Sequence, residues 1–283
     1  MTPLSPVYEI HMKNTVVASV RALLRGLGLN VSKYSTHVRT CEVIEALLQE
    51  NDALKGTVAR TRQNLEFLID IPDRQLLAWV MESQAQLWQD LFVLHELGMK
   101  RDGFFVEFGA TNGVSLSNTY LLEKQFGWKG ILAEPAKCWQ AALEKNRSAA
   151  MEKKCVWSKS GEVLMFNETE VAELSTINAF SDADSHSVIR THGTNYQVET
   201  ISLIDLLRQH RAPAMIDYLS IDTEGSEFEI LSHFDFGEFR FKIITCEHNG
   251  TEAREKIFDL LTANGYVRKH PELSKFDDWY VRE

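Results

Sequence analysis

The sequence is poor in the residues that mark several classes of protein. Its 283 residues include only six prolines and 15 glycines, whereas 44% are hydrophobic and 10% aromatic. Disordered and collagen-like chains show the opposite balance, so a folded globular protein is expected. The length suits one large domain, or one domain with an appendage.

Cysteine pairs and long apolar runs are also lacking. The four cysteines form no C-x-x-C pair, so their spacing suggests neither a zinc site nor a redox dithiol. The stretch from Val16 to Leu29 is interrupted by Arg21 and Arg25, and it predicts neither a signal peptide nor a membrane span. We therefore expect buried thiols and a cytoplasmic location.

Basic residues are outnumbered, with 30 Lys and Arg against 40 Asp and Glu, which gives a formal net charge of -10. Residues 1–75 carry nine basic and eight acidic residues, so the acidic excess lies entirely in residues 76–283. Proteins that bind nucleic acid attract the polyanion with a basic face. The composition thus argues against a nucleic-acid partner.

Residues 1–75 predict a helical extension that precedes a larger domain over residues 76–283. Between His11 and Thr40 the basic residues meet no acid, and apolar residues from Val16 to Leu27 recur at helical spacing. Such a basic amphipathic helix could contact an anionic membrane surface. Because its apolar face lacks a Trp or Phe anchor, we favour packing against protein.

A 3-4 apolar repeat follows, and it predicts a coiled coil. The a and d positions are Ile44, Leu47, Asn51, Leu54, Val58, Thr61, Leu65 and Leu68. The pattern favours a homodimer through residues 40–70, although a helix packed on its own domain fits equally well. Pro72 predicts a break after this helix.

From Arg74 onward, short apolar runs alternate with helical patterns. Helices are expected from Leu76 to Leu94 and from Ser115 to Phe126, among others. The predicted strands are 104–108, 130–133, 155–157, 215–221, 242–246, 266–268 and 279–281. Strands separated by helices indicate an α/β fold with a largely parallel, doubly wound sheet. Ligands of such sheets bind at the carboxyl ends of the strands.

The first strand ends in a glycine-containing turn. Gly109 and Gly113 allow the backbone to approach a ligand, and Glu107 stands where a dinucleotide-binding motif has its first glycine. A carboxylate there suits a ligand with a cationic amino group, such as S-adenosylmethionine, better than NAD. The second strand ends at Glu134, which is placed to accept hydrogen bonds from the ribose hydroxyls of a nucleoside.

These residues belong to a set of motifs that resembles the FkbM-type methyltransferases. The motifs are Ser83-Gln84, Phe105-Val106-Glu107-Phe108-Gly109-Ala110, Ser117-Asn118-Thr119, Glu134-Pro135, Ile216-Asp217-Tyr218-Leu219-Ser220-Ile221-Asp222-Thr223-Glu224-Gly225-Ser226-Glu227 and Glu247-His248-Asn249. They occur in the family's order over roughly residues 80–282. The resemblance does not cover residues 1–75.

The resemblance implies a class I, Rossmann-like methyltransferase fold with a mostly parallel seven-stranded sheet. It also implies S-adenosylmethionine as methyl donor and a hydroxyl acceptor on a sugar or natural product. By the same resemblance, Glu107, Gly109 and Gly113 hold the methionine end of the cofactor, Glu134 holds the ribose, and Ser158 lies near the adenine. The remaining implied cofactor contacts are Gln84, Asn112, Asn118 and Asp222.

Two neighbouring strand ends carry the expected chemistry. His248 is the first candidate for the general base, because its ordinary pKa lies near operating pH, and Asp222 and Glu224 follow. Asp222, Glu247 and Asn249 could instead hold a hard cation such as Mg²⁺, as in catechol-type methyltransferases, which the chain resembles more loosely.

Other interpretations stay open. Asp222-Thr223-Glu224 could clamp a metal on the diphosphate of a sugar nucleotide, although Glu107 would repel a phosphate. A non-catalytic scaffold that keeps the nucleoside pocket is a third interpretation. The long polar segment from Glu168 to Asn195 is expected to be a lid or acceptor-binding element, or else a surface insertion.

Overall fold

The computed structural model describes residues 32–181 and 187–283. The chain divides into two compact units, Met1–Glu66 and Phe67–Glu283, where the sequence placed the boundary near residue 75. The basic helix predicted around Val16 to Leu27 lies outside the described residues. The first described element is one long helix, α1 (Ser32–Asp70), which ends two residues before Pro72.

The helices after α1 are short. They are α2 (Gln89–Glu96), α3 (Tyr120–Phe126), α4 (Lys137–Asn146), α5 (Ser187–Arg190), α6 (Leu203–Gln209), α7 (Glu227–Ser232), α8 (Ala253–Ala263) and α9 (Pro271–Ser274). The single helix predicted from Leu76 to Leu94 is wrong, because a 3-10 turn at Arg74–Ala78 and an irregular stretch precede α2. Trp88, the residue before α2, has a left-handed backbone that starts a new helix direction.

Seven strands form the central sheet in the order β10-β11-β9-β8-β1-β2-β3. They are β1 (Phe104–Phe108), β2 (Lys129–Ala133), β3 (Ala150–Glu152), β8 (Met215–Ile221), β9 (Arg240–Glu247), β10 (Tyr266–Lys269) and β11 (Asp277–Arg282). The sheet is mixed: β11 is antiparallel to both β9 and β10, and the other neighbouring pairs are parallel. The predicted α/β class is confirmed.

Strands β1, β8 and β9 are buried almost throughout because the sheet is covered on both faces. One apolar cluster contains Ile244 and Leu261 of α8, and the other contains Trp279 and Phe92 of α2. From β1 the chain moves outward through β2 and β3, and it returns to the other side of β1 with β8. The strand order therefore reverses between β1 and β8, which is where α/β sheets open a binding crevice.

A second sheet stands beside the first, in the order β4-β7-β5-β6. Its strands are β4 (Cys155–Trp157), β5 (Val163–Glu168), β6 (Thr176–Ile177) and β7 (Thr194–Ser202). The prediction that 155–157 is the third strand of the central sheet is wrong, since β4 pairs with β7 and β3 takes that place. Most of the expected loop from Glu168 to Asn195 connects β5 to β7 through β6 and α5.

Within the described ranges, no helix is both long enough and apolar enough to cross a membrane.

Candidate active site

A cavity of about 380 Å³ lies at the carboxyl ends of β1, β2, β8 and β9. Glu107, Glu134, Asp222 and Glu247 come from these four strand ends or follow directly on them, and all four line the cavity. The second sheet closes one side with Cys155, Val156 and Phe166, and the segment after β5 adds residues 172–175 and Ile177. This volume is in the range of about 300 to 1,000 Å³ typical of ligand sites.

The turn after β1 depends on Gly109. Its φ is +70°, and a Cβ at this position would lie 2.1 Å from the backbone oxygen of Asp222. Only glycine allows the ends of β1 and β8 to approach this closely. The helix expected from Ser115 starts at Tyr120 instead, so the residues between Gly109 and Tyr120 form an irregular loop over the cavity.

The carboxylate of Glu107 holds this loop. It accepts hydrogen bonds from the hydroxyls of Ser117 (3.0 Å) and Thr119 (2.5 Å) and from the backbone N–H of Asn118 (2.6 Å). The guanidinium of Arg147 lies 3.7 Å away and bonds Ser117 and Thr119 as well. Glu107 was expected to face the amino group of the cofactor, but its oxygens are engaged by the protein and position the loop.

Arg147 is the buried counter-ion of this region, and no motif in the sequence pointed to it. Its Nε bonds Glu123 at 2.7 Å, and its Nη1 donates to the carbonyl of Gly113 at 3.0 Å. Although burial raises the pKa of Glu123, the amide of Ser148 and the charge of Arg147 bring it below its ordinary value. One arginine thus ties α4 to the loop after β1.

Glu134 follows β2 and is buried in the wall of the cavity. Its Oε2 accepts the N–H of Thr111 and its Oε1 that of Ala136, both at 2.8 Å. Each carboxylate oxygen keeps a second lone pair for a ligand. Burial raises the pKa of Glu134 to about 7 despite the two amide bonds, with Asp222 adding to the effect. This geometry suits a pair of vicinal hydroxyls.

Asp222 and Glu247 form a buried carboxyl pair, with an oxygen of each within 4.8 Å of the other. Burial raises the pKa of Asp222 to about 6. Burial and the charge of Asp222 raise the pKa of Glu247 well above its ordinary value. The buried pair therefore disfavours carrying two negative charges at once.

Glu224 is committed to a buried ion pair. Its Oε2 accepts from Arg190 of α5 at 2.8 Å, and the backbone oxygen of Glu224 accepts from Thr176 at 3.0 Å. Arg190 also donates to the carbonyl of Leu174 at 2.9 Å. These contacts hold the segment after β5 against the cavity, where part of it forms the wall.

His248 lies outside this cavity and lines a second one. Its Nδ1 accepts the N–H of Gly250 at 2.9 Å, and its Nε2 faces Asp278 at 3.7 Å. Burial lowers the pKa of His248, Arg254 adds to this, and Asp278 opposes it. With Nδ1 bonded to an amide and Nε2 carrying the proton, the ring has no lone pair with which to accept a proton from a substrate.

Of the other predicted cofactor contacts, some line the cavity and some do not. Asn118 and Gly109 line the cavity, whereas Gln84, Asn112, Gly113 and Ser158 do not. The side chain of Asn112 caps its own turn, accepting the N–H groups of residues 114 and 115 at 2.9 Å. Ser158 follows β4 in the second sheet, and Val156 of β4 reaches the cavity in its place.

A cation could be coordinated at one corner of the cavity. Oxygens of Asp222, Glu224 and Glu247 lie within 4.8 Å of one another. Asn249, predicted as a further ligand, lines the cavity and donates to Glu224 at 3.4 Å.

The lining suits a cationic nucleoside. No Lys or Arg is among the described residues that line the cavity, so a diphosphate would meet carboxylates without a counter-ion. Apolar groups of Val156, Phe166 and Pro135 stand on the Glu134 side, where a base would follow the ribose. The residues present therefore fit S-adenosylmethionine and oppose a sugar nucleotide.

A family model described as the methyltransferase FkbM domain matches residues 107–270. No curated protein matches the chain. Among solved structures, the precorrin-6y C5,15-methyltransferase of Geobacter metallireducens is 11% identical, with a TM-score of 0.35 over 68% of this chain and 85% of that chain. The ribosomal protein L11 methylase of Lactobacillus delbrueckii is 9% identical, with a TM-score of 0.35 over 69% and 78%. Likeness at this level supports no conclusion about activity.

Proposed function

The chain belongs to the FkbM family of S-adenosylmethionine-dependent methyltransferases, and from this premise we propose that it methylates a hydroxyl of a neutral saccharide or natural product. The observation that carries the proposal is the pairing of functions in one cavity. Glu134 offers two acceptor oxygens at one end, and the Asp222–Glu247 pair offers a base at the other. The proposal includes the class I methyltransferase fold.

The cofactor has a defined orientation in this proposal. Glu134 would accept hydrogen bonds from both ribose hydroxyls, and Val156 and Phe166 would enclose the adenine. Gly109 and Asn118 lie beside the methionine part, next to the carboxylate of Asp222. When bound, S-adenosylmethionine supplies a methyl group on a positively charged sulfur.

Asp222 removes the proton of the acceptor hydroxyl. The hydroxyl proton would pass to the carboxylate of Asp222, which lies beside Glu247 with an oxygen of each within 4.8 Å of the other. The bound cofactor would supply the methyl group that the acceptor oxygen receives. This assignment replaces His248, which does not line the cofactor cavity and whose Nδ1 accepts the N–H of Gly250. Alignment of the acceptor hydroxyl with Asp222 and with the methyl group would supply most of the remaining rate acceleration.

A second cavity of about 330 Å³ is the proposed acceptor site. It shares Glu247 and Asn249 with the cofactor cavity, and it is lined by Phe180, Gly225 and Glu252 among others. No Lys or Arg is present among its described lining residues. Phosphorylated or sulfated acceptors would be repelled, so a neutral polyhydroxyl compound is favoured and a nucleic acid is not.

Whether the carboxylates around Asp222 bind a catalytic Mg²⁺ can be tested directly. Mg²⁺ prefers oxygen ligands in octahedral geometry, and Asp222, Glu224 and Glu247 would supply three, with Asn249 nearby. Our proposal assigns the base role to Asp222 without a metal. Activity that persists in EDTA supports it, whereas activity lost in EDTA and restored by MgCl₂ contradicts it.

A ligand panel tests the function. S-adenosylhomocysteine should raise the thermal unfolding midpoint, whereas UDP-glucose and NAD should not. Transfer of a labelled methyl group to neutral saccharides and polyols, but not to their phosphate esters, is the expected activity. Stabilisation by UDP-glucose alone would favour the sugar-nucleotide transferase. Cofactor binding without transfer to any acceptor would favour a scaffold.

Assembly belongs to the same proposal. The large side chains of Leu54, Val58 and Leu65 on α1 are all more than half exposed, as the unpaired seam of a coiled coil would be. A homodimer through residues 40–70 would cover them. Membrane contact by the basic helix and a cytoplasmic location stay predictions.

A further inference from the structure

A small side pocket opens from the cofactor cavity at the ends of β8 and β9 and the start of β11. Its volume is about 10 Å³, and it shares Asn118, Asp222 and Glu247 with the larger cavity. Asp277, the first residue of β11, completes the wall. A volume of about 10 to 15 Å³ is the least that holds one water-sized group.

Three buried oxygens on the wall of this pocket lack a hydrogen-bond partner among the described residues. They are Oδ1 of Asn118, Oε2 of Glu247 and Oδ1 of Asp277. The opposite atoms are engaged: Asn118 donates to the hydroxyl of Ser220 at 2.9 Å, and Oδ2 of Asp277 accepts from Gln89 at 2.9 Å. Unpaired buried acceptors are costly, so three around one pocket point to a donor ligand.

The charge of the pocket indicates which kind of donor group it binds. Asp222, Glu247 and Asp277 pair with none of the Lys and Arg side chains in the described part of the chain. Burial raises the pKa of Asp277 well above its ordinary value. A water has two hydrogens to offer to three acceptors, whereas a primary ammonium has three and carries the missing positive charge.

We propose that this side pocket binds the α-ammonium group of the cofactor's methionine part, with Asp277 as its counter-ion. The inference rests on the proposed function. Asn118 and Glu247 each accept one of the ammonium hydrogens, and the carboxylate of Asp277 accepts the third. This arrangement gives the pocket the role that the sequence assigned to Glu107, whose oxygens hold the loop instead.

Calorimetric titration with two ligands tests the assignment. The ligands are S-adenosylhomocysteine and its deamino analogue, in which hydrogen replaces the α-amino group. Because hydrogen bonds to charged groups contribute about 1.5 to 3 kcal/mol, the wild type should prefer S-adenosylhomocysteine by about 10- to 100-fold. Asp277→Asn should lose most of that preference while its affinity for the deamino analogue stays within about threefold.

A second variant and a control variant distinguish loss of the ammonium contact from misfolding. Asn118→Leu should reduce the preference by about fivefold, as expected for one hydrogen bond. Glu134→Gln should weaken both ligands by the same factor, because it faces the ribose in our proposal. All variants should keep the wild-type thermal midpoint to within about 8 °C.

Three results would overturn the inference. The wild type could bind the two ligands equally, or Asp277→Asn could weaken both equally. MgCl₂ alone could bind the wild type and not Asp277→Asn, which would make the pocket a metal site. In each of these cases the proposed function survives. Failure of the wild type to bind either ligand would instead contradict the proposed function itself.

Discussion

Glu134 offers the sharpest test of the cofactor site, through the substitution Glu134→Gln. In the wild type each carboxylate oxygen accepts one backbone N–H and keeps one lone pair for a ribose hydroxyl. Glutamine turns one oxygen into an NH₂ group that opposes the N–H of Thr111 or Ala136. One charged hydrogen bond to the ligand is lost and the other becomes neutral.

The expected magnitude follows from these bonds. Losing one bond to a charged group and weakening a second costs about 3 kcal/mol of binding free energy, or about 100-fold in Kd for S-adenosylhomocysteine. Glu144→Gln is the matched control, because Glu144 is an exposed carboxylate paired with Lys153 on the surface. That variant should bind like the wild type.

The pH dependence gives an independent check on Glu134. Burial raises its pKa to about 7, so the ligand-free protein loses the carboxylate as pH falls through 7. The protonated group cannot accept from both hydroxyls, so wild-type affinity should fall toward tenfold per unit below pH 7 and level off above it. Glu134→Gln should be flat between pH 6.5 and 8.5.

Calorimetric titration over this pH range tests whether Glu134 binds the ribose. A wild-type affinity that does not change between pH 6 and 8, together with a Glu134→Gln affinity within about threefold of wild type, would refute the ribose assignment. Circular dichroism of both glutamine variants shows whether the fold is retained.

Further predictions concern the base, the buried arginine and the assembly. Asp222→Asn should lower kcat by about 100- to 10,000-fold. With the cofactor saturating, wild-type kcat/KM for the acceptor should rise with pH up to about 6 and then level off, because the unprotonated carboxylate is the base. A fully active variant in steady-state assays would remove that role. Arg147→Met should destabilise the fold by about 3 to 5 kcal/mol in urea denaturation, since it removes the buried cation beside Glu107 and Glu123 and leaves Glu123 only the partly exposed Lys124. A loss below about 1 kcal/mol would contradict this. Replacing Leu54, Val58 and Leu65 with Asp should give a monomer by light scattering; an unchanged mass, whether monomer or dimer, would count against the coiled coil.

The strand ends could be predicted from the sequence because apolar runs fix them within a residue or two. Phe104–Phe108 and Met215–Ile221 are the expected strands. Glu134, which follows Lys129–Ala133, and Asp222, which follows Met215–Ile221, meet as predicted from the geometry of a parallel sheet. Local sequence determines these positions. No long-range information was needed to place them at one edge.

The partners of these carboxylates could not be predicted, because they come from distant parts of the chain. Glu224 meets Arg190 across 34 residues, and Glu123 meets Arg147 across 24. The second sheet was missed for a related reason. Strand β5 has an exposed face with Val163 and Met165, so its pattern did not stand out from that of a surface loop.

The two buried arginines divide the acidic residues of the site into two groups. Arg147 neutralises Glu107 and Glu123, and Arg190 neutralises Glu224. These three carboxylates lie beside a guanidinium, and they hold the loop after β1 and the segment after β5 in place. Their role is to shape the cavity.

The second group has no basic partner among the described residues. Burial raises the pKa of Glu134, Asp222, Glu247 and Asp277, so each is destabilised as a carboxylate in the ligand-free protein. A cationic ligand with hydroxyl and ammonium donors relieves that cost, whereas an anionic ligand increases it. Under the proposed function, the carboxylates that the arginines leave unpaired would favour a sulfonium cofactor over a nucleotide diphosphate.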